Sequence, residues 1–279
     1  MDTTKIKQTV KEKYGEIAKQ SKEQNQSSCC GTGGCSTVDY AVFSENYNQL
    51  EGYVPDADLG LGCGLPTQFA KIKKGDTVID LGSGAGNDCF VARALTGESG
   101  KVIGIDMTEG MIDKARENAE KLGFNNVEFR FGDIEKIPVA ANRADVVVSN
   151  CVLNLVPDKR KAFQEIFRIL KPNGHFSISD VVLAGNLPQS LQQASEMYVG
   201  CVSGALQKSE YLQIINESGF VNSKVQKEKL ITLPDDILGD YLTPQQIDDY
   251  KNSGVGIYSI TVYAEKPIDA GCNPETQCC

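Results

Sequence analysis

Residues 77–106 read TVIDLGSGAGNDCFVARALTGESGKVIGID. A short apolar run, TVIDL, enters a glycine-rich turn, a helical stretch spans about 86 to 96, and a second apolar run ends at Asp106. Short apolar runs of this kind are strands covered on both faces, and a helix between two of them makes the pair parallel. The alternation continues downstream with NVEFRF at 126–131, ADVVVSN at 144–150 and HFSISDVVL at 175–183, interleaved with helical stretches near 108–122 and 159–170. The pattern predicts an α/β fold with a doubly wound, mostly parallel sheet. Further helices are expected near 188–199 and 208–217, with runs near 220–230 and at IYSITVYAEK (257–266). The stretch from about 232 to 256 is long enough to hold a second cap element.

Upstream of the sheet, Ile6, Val10, Tyr14 and Ile17 recur at helical spacing, so residues 5 to 20 read as an amphipathic helix. The polar tract SKEQNQSSCCGTGGCS (21–36) breaks it. Residues 36 to 66 hold Tyr40, Tyr47, Tyr53 and several glycines without a period, as expected of an irregular lid laid over another surface. The chain thus divides into 1–66 (helix and lid), 67–183 (core), 184–266 (cap and final strands) and 267–279 (a cysteine-rich tail).

The whole sequence has 279 residues, 41% hydrophobic and 23% charged, which excludes disordered and fibrous classes. No run approaches the length of a membrane span, and MDTTKIKQTVKEKYGEI is charged where a signal peptide is apolar, so a soluble, cytoplasmic protein with no membrane partner is expected. A net charge of −9 without a basic stripe argues against a nucleic-acid partner. Ten cysteines are many for a reducing compartment, where they serve as ligands or redox groups more than as a disulfide framework.

Gly82, Gly84 and Gly86 follow the first strand directly, where glycine lets backbone turn sharply beside a ligand. Asp106 ends the second strand, in position to accept both hydroxyls of a ribose. The G-x-G-x-G spacing departs from the dinucleotide pattern, and Asp133 in GDIEKIP ends the third strand, where a carboxylate can meet an adenine amino group. Asp80, Asp106 and Asp133 line the strand ends with negative charge, which suits a cationic amino-acid nucleoside, S-adenosylmethionine, better than a diphosphate. The motifs VIDLGSGAG, GIDMT, GDIEKIP and ADVVVSNCVLNLV resemble those of the class I, Rossmann-like methyltransferases over roughly residues 67 to 183. That resemblance implies Met107 and Ile134 beside the adenine and Asn150 beside the methionine part.

A proton-bearing acceptor needs a base, and the sole histidine, His175, falls at the start of the fifth strand, away from the ligand-binding strand ends. An acceptor with its own lone pair removes that requirement. GYVPDADLGLGCGLP, SNCVLNLVPDK and YVGCVSGAL hold one internal cysteine each, and through them the chain resembles the arsenite S-adenosylmethionine methyltransferases up to about residue 266. The resemblance implies that Cys63, Cys151 and Cys201 hold As(III), delivered as a thiol conjugate. It also implies a thiol–disulfide relay through an N-terminal cysteine, Cys30 ahead of Cys29 and Cys35, served by a reductant such as thioredoxin or glutathione. Soft thiolates suit trivalent arsenic. The C-terminal CNPETQCC either scavenges arsenic, assists the relay or is incidental, and Cys89 reads as a packed core residue. Two other readings stay open: a methyltransferase for an ordinary small metabolite with structural cysteines, and a non-catalytic binder of arsenic or a soft metal.

Overall fold

The computed structural model describes residues 3–20, 45–188, 204–232, 235–239 and 241–268. Cys29, Cys30, Cys35, Cys201, the tail cysteines and the helix expected near 188–199 lie outside the described residues. Helix α1 (Thr3–Ile17) comes first. Residues 45–65 are largely irregular and lead to the short helix α2 (Pro66–Phe69). The core runs β1 (Thr77–Leu81), α3 (Asn87–Thr96), β2 (Lys101–Asp106), α4 (Glu109–Lys121), β3 (Val127–Phe131), β4 (Ala144–Asn150), α5 (Lys159–Ile169) and β5 (Leu170–Ala184). After α6 (Lys208–Glu217) and β6 (Val221–Ile231), the 232–256 stretch carries α7 (Asp235–Gly239) and α8 (Pro244–Asn252), and β7 (Gly256–Glu265) completes the sheet.

The seven strands are ordered β3-β2-β1-β4-β5-β7-β6, with β1 to β5 parallel and β7 antiparallel to both of its neighbours. The apolar runs are continuous because both faces of the sheet are covered. Ile79, Leu81, Ile103, Ile105 and Val147 belong to one core with α5 and α6, while Val78, Val102, Val146 and Val148 belong to another with Phe90 and Ala115 of α3 and α4. Neighbouring residues of one strand thus face opposite cores, the period-2 rule applied to a strand with no wet side. No helix among the described residues is long and apolar enough to cross a membrane.

Phe163 of α5 stands at the centre of the first core, fully buried, with Phe176, Tyr211 and Phe220 around its ring at centroid distances of 5.8, 5.6 and 6.5 Å. Truncation there leaves a cavity between helix and sheet. We expect Phe163→Ala to cost about 3–5 kcal/mol of unfolding free energy, checked by urea titration.

Candidate functional site

The order of strands reverses at β1, which pairs with β2 on one side and β4 on the other. The connections leave in opposite directions there, so a crevice opens beyond the carboxyl ends of the strands. A cleft lies at this point, enclosing about 1080 Å³ of non-atom space with its open mouth included. It is lined by every residue proposed above for the cofactor except Gly86, together with Cys151.

The turn after β1 forms the floor. Gly82 has φ +72°, and a Cβ there would run into the side chain of Val152, so only glycine fits. The N–H groups of Gly82 and Ser83 donate to Ile105 O at 2.7 and 3.0 Å, which ties the turn to β2. Asp106 closes the arrangement, its carboxylate accepting from Gly84 N at 3.0 Å and Thr108 N at 2.8 Å. Gly86 stands outside the lining and begins α3, with φ 99°. Two buried side-chain atoms that line the cleft, Ser83 Oγ and Asn87 Oδ1, have no hydrogen-bond partner within the protein. Unpartnered buried polar atoms beside a cleft call for a polar ligand.

The lid meets the sheet at Asn150, the last residue of β4. Its Oδ1 accepts from Cys63 N at 3.0 Å and Gly64 N at 3.2 Å. Its Nδ2 donates to Gly64 O at 2.8 Å, Tyr47 Oη at 2.5 Å and Asp88 Oδ2 at 3.2 Å. Tyr47 in turn donates to Asp88 at 2.9 Å. Through this knot the lid places Cys63 beside the strand end that carries Cys151, and both thiols belong to one apolar cluster with Val10, Leu155 and Val181. Neither is in a disulfide.

Cys151 has φ 60°, a conformation rare outside glycine, and its N–H donates to Ser179 O at 2.7 Å. The following turn is pinned from below. Asn154 exchanges hydrogen bonds with the backbone of Val181, Lys159 Nζ donates to Asn154 O and Val156 O, and Asp180 accepts from Tyr211 Oη at 3.1 Å. These residues act on the thiol through the backbone that carries it.

Five carboxylates line the cleft, Asp58, Asp80, Asp88, Asp106 and Asp133, against a single cation among the described lining residues, Lys7. Burial pushes Asp80 well above the usual carboxylate range, with the charge of Asp88 adding to it. Burial also raises Asp106, against the pull of its backbone donors. Asp88 is raised to about 6 by burial, with Asn150 and Tyr47 holding it down, and Asp180 to about 7 by burial, with Lys159 opposing. Cys89 is a core residue with a task, since its Sγ donates to Asp80 at 3.2 Å. Burial and that carboxylate raise its thiol well above the ordinary range. His175 lies away from the cleft, its Nε2 2.6 Å from Ala70 O.

The glycine turn, the strand-end acids and Cys151 meet at the cleft, and Cys63, which does not line it, joins Cys151 in the apolar cluster beside it. Tyr47, Asp88, Asn154, Asp180 and Lys7 join the site without any motif that marks them in the sequence. An acid in the first turn of a helix is ordinarily read as matching the helix dipole, so Asp88 carried no separate signal.

The methyltransferase domain family matches residues 72–219. The arsenite methyltransferase of Halobacterium salinarum is 38% identical over 95% of this chain and 68% of its own length. That of Aquipseudomonas alcaligenes is 33% identical over 84% of this chain, again covering 68% of the relative. The crystal structure of an arsenic(III) S-adenosylmethionine methyltransferase from Chlamydomonas reinhardtii superposes with a TM-score of 0.63 at 33% identity, covering 74% of this chain and 68% of the other.

The titrations set a pH dependence. An aspartate titrates near 3.9 in the unfolded chain, whereas Asp88 and Asp180 titrate in the folded one at about 6 and about 7. Between those values the folded state binds more protons than the unfolded state, so its stability falls as pH rises. We expect the thermal midpoint of the ligand-free protein to drop between pH 5 and pH 7.5, and Asp88→Asn to flatten part of that slope in a calorimetric series.

Proposed function

The chain belongs to the arsenite methyltransferase family, and we propose that it transfers a methyl group from S-adenosylmethionine to trivalent arsenic held by cysteine thiolates. The observation that carries the reading is the Asn150 knot, which sets Cys63 and Cys151 on either side of one amide at the end of an acid-lined cleft. Arsenite and methylarsenite are the substrates, and detoxification is the physiological outcome.

The cleft residues suit the cofactor. Asp106 would receive the ribose, Met107, Asp133 and Ile134 would flank the adenine, Asp80 and Asn150 would face the methionine part, and Gly82 and Gly84 would let backbone approach it closely. When bound, S-adenosylmethionine supplies an electrophilic methyl group on a sulfonium and leaves as a neutral thioether. The chain's acids favour that cation over a neutral or anionic competitor.

Arsenic held by three sulfurs keeps a lone pair, so the protein has to hold and aim it without removing a proton. This agrees with His175 standing elsewhere and with an apolar thiol end. Cys201 is proposed as the third ligand, from outside the described residues. Methyl transfer takes arsenic formally to the pentavalent state, which thiols hold poorly. Two thiols closing to a disulfide return the electron pair to arsenic. We assign that relay to Cys30 with Cys63, reset by a thiol reductant such as thioredoxin or glutathione, in the cytoplasm.

The deciding experiment supplies labelled S-adenosylmethionine with arsenite as sole acceptor. Radiolabelled methylarsenicals are expected, and their absence with cofactor bound would return the chain to an ordinary small-metabolite methyltransferase or a binder. Cys151→Ser should abolish methylation of arsenite and methylarsenite while leaving cofactor affinity intact. Asp106→Ala should do the reverse, weakening S-adenosylmethionine binding at about 1.5–3 kcal/mol per lost charged hydrogen bond while arsenic binding persists. Calorimetry and arsenic titration separate the two.

A further inference from the structure

Helix α1 is remote in sequence from every motif used above, yet it forms a wall of the same cleft through Lys7, Val10 and Tyr14. Its apolar hold on the domain runs through Val10 and Ile17, both buried, with Tyr14 packed beside them. Ionic contacts add to this hold: Lys11 Nζ lies 3.8 Å from Glu109 Oε1, and Lys7 reaches two carboxylates at the cleft edge. Lys7 Nζ lies 2.7 Å from Asp133 Oδ2 and 2.7 Å from Glu135 Oε2.

Neither acid is idle without Lys7. Asp133 Oδ1 accepts from Glu135 N at 2.9 Å, and Glu135 Oε1 accepts from Asp158 N at 3.1 Å, so the pair is tied to the segment that follows Cys151. The Glu135 side chain is only 9% exposed, which makes an unpaired charge there costly. At its other end the helix is held separately, by Lys114 Nζ donating to Ala18 O at 3.2 Å and Gln20 O at 3.1 Å. Val10 meanwhile shares the apolar cluster that contains Cys63 and Cys151.

We propose that Lys7 is a positioning residue for methyl transfer: clamped between Asp133 and Glu135, it latches α1 over the cleft and so closes the cofactor end and the thiol end with one element. The proposal rests on the cleft being the cofactor site. Each Asp133 oxygen has two lone pairs, so Lys7 and an adenine amino group can share this carboxylate, and latch and cofactor then reinforce each other. The charge sign also fits. A cation facing a sulfonium would repel it, whereas Lys7 spent on two carboxylates leaves the wall net negative.

The test compares the full chain with Lys7→Met and Lys7→Arg by hydrogen exchange without ligand and by titration with S-adenosylmethionine. Lys7→Met should speed exchange of α1 amides relative to those of β4, which serve as the folding control. If the unlatched helix is docked about a tenth of the time, the apparent Kd rises about tenfold. Lys7→Arg keeps the charge and should restore most of both. Raised salt should weaken cofactor binding more in the parent chain than in Lys7→Met, a signature that lost packing alone would not give. Unchanged α1 exchange and unchanged Kd in Lys7→Met would overturn the latch. Failure of the parent chain to bind S-adenosylmethionine would instead overturn the proposed function, and the exchange comparison would still decide whether Lys7 holds α1.

Discussion

One primary amide, that of Asn150, joins the parts of this molecule that chemistry requires to be together. It is the end of a central strand, and it accepts from two lid N–H groups while donating to a lid carbonyl, to Tyr47 and to Asp88. Only a side chain with an acceptor and two donors on one rigid plane can serve such a set. An aspartate at this position would repel Asp88 and lose the lid carbonyl, and an apolar residue would strand the Cys63 and Gly64 N–H groups. The lid therefore depends on the sheet for its placement, and Cys63 depends on the lid.

The second constraint is charge. Burial raises the proton affinity of Asp80, Asp88 and Asp106, with neighbouring carboxylates adding to it at Asp80 and Asp88, and the ligand-free protein carries that as a destabilising term at neutral pH. A cation in the cleft relieves it. The same groups that weaken the empty fold thus strengthen the occupied one, and the transfer of a methyl group cancels the cation's charge and with it part of the attraction. In the proposed reaction this distinguishes substrate from product without any moving part.

The regular core was readable from residue pattern because β1, β2 and β4 alternate between two cores and β1 runs straight into a glycine turn. The ends of β2 and β4 fall at Asp106 and Asn150, where the apolar runs stop. Three of the five cleft acids, Asp80, Asp106 and Asp133, were readable because strand ends point at a switch point, whereas Asp58 and Asp88 sit on no strand end. Contacts between distant segments were not readable. Tyr47 meets Asp88 across 41 residues and Lys7 meets Asp133 across 126, and neither partner bears a local mark. Cys89 was readable as buried but not as a donor to Asp80, because helical position reveals a neighbour on the helix and not one on the adjoining strand.

Cys151 joins these lines. A residue with a side chain in the left-handed region is held there against its preference, and such strain persists only where surrounding structure over-determines it. Here the determination comes from Ser179 behind the cysteine N–H and from the Asn154–Val181 exchange three residues on. Asn154 is also bonded to Asp180, which is covered by Tyr211, and both thiols raise the proton affinity of Tyr211 after its burial and Asp180. The two thiols accordingly sit in an apolar cluster over a buried polar truss. That is the arrangement a lone-pair nucleophile needs, since its reactivity rests on being aimed at the methyl group and shielded from water, not on deprotonation.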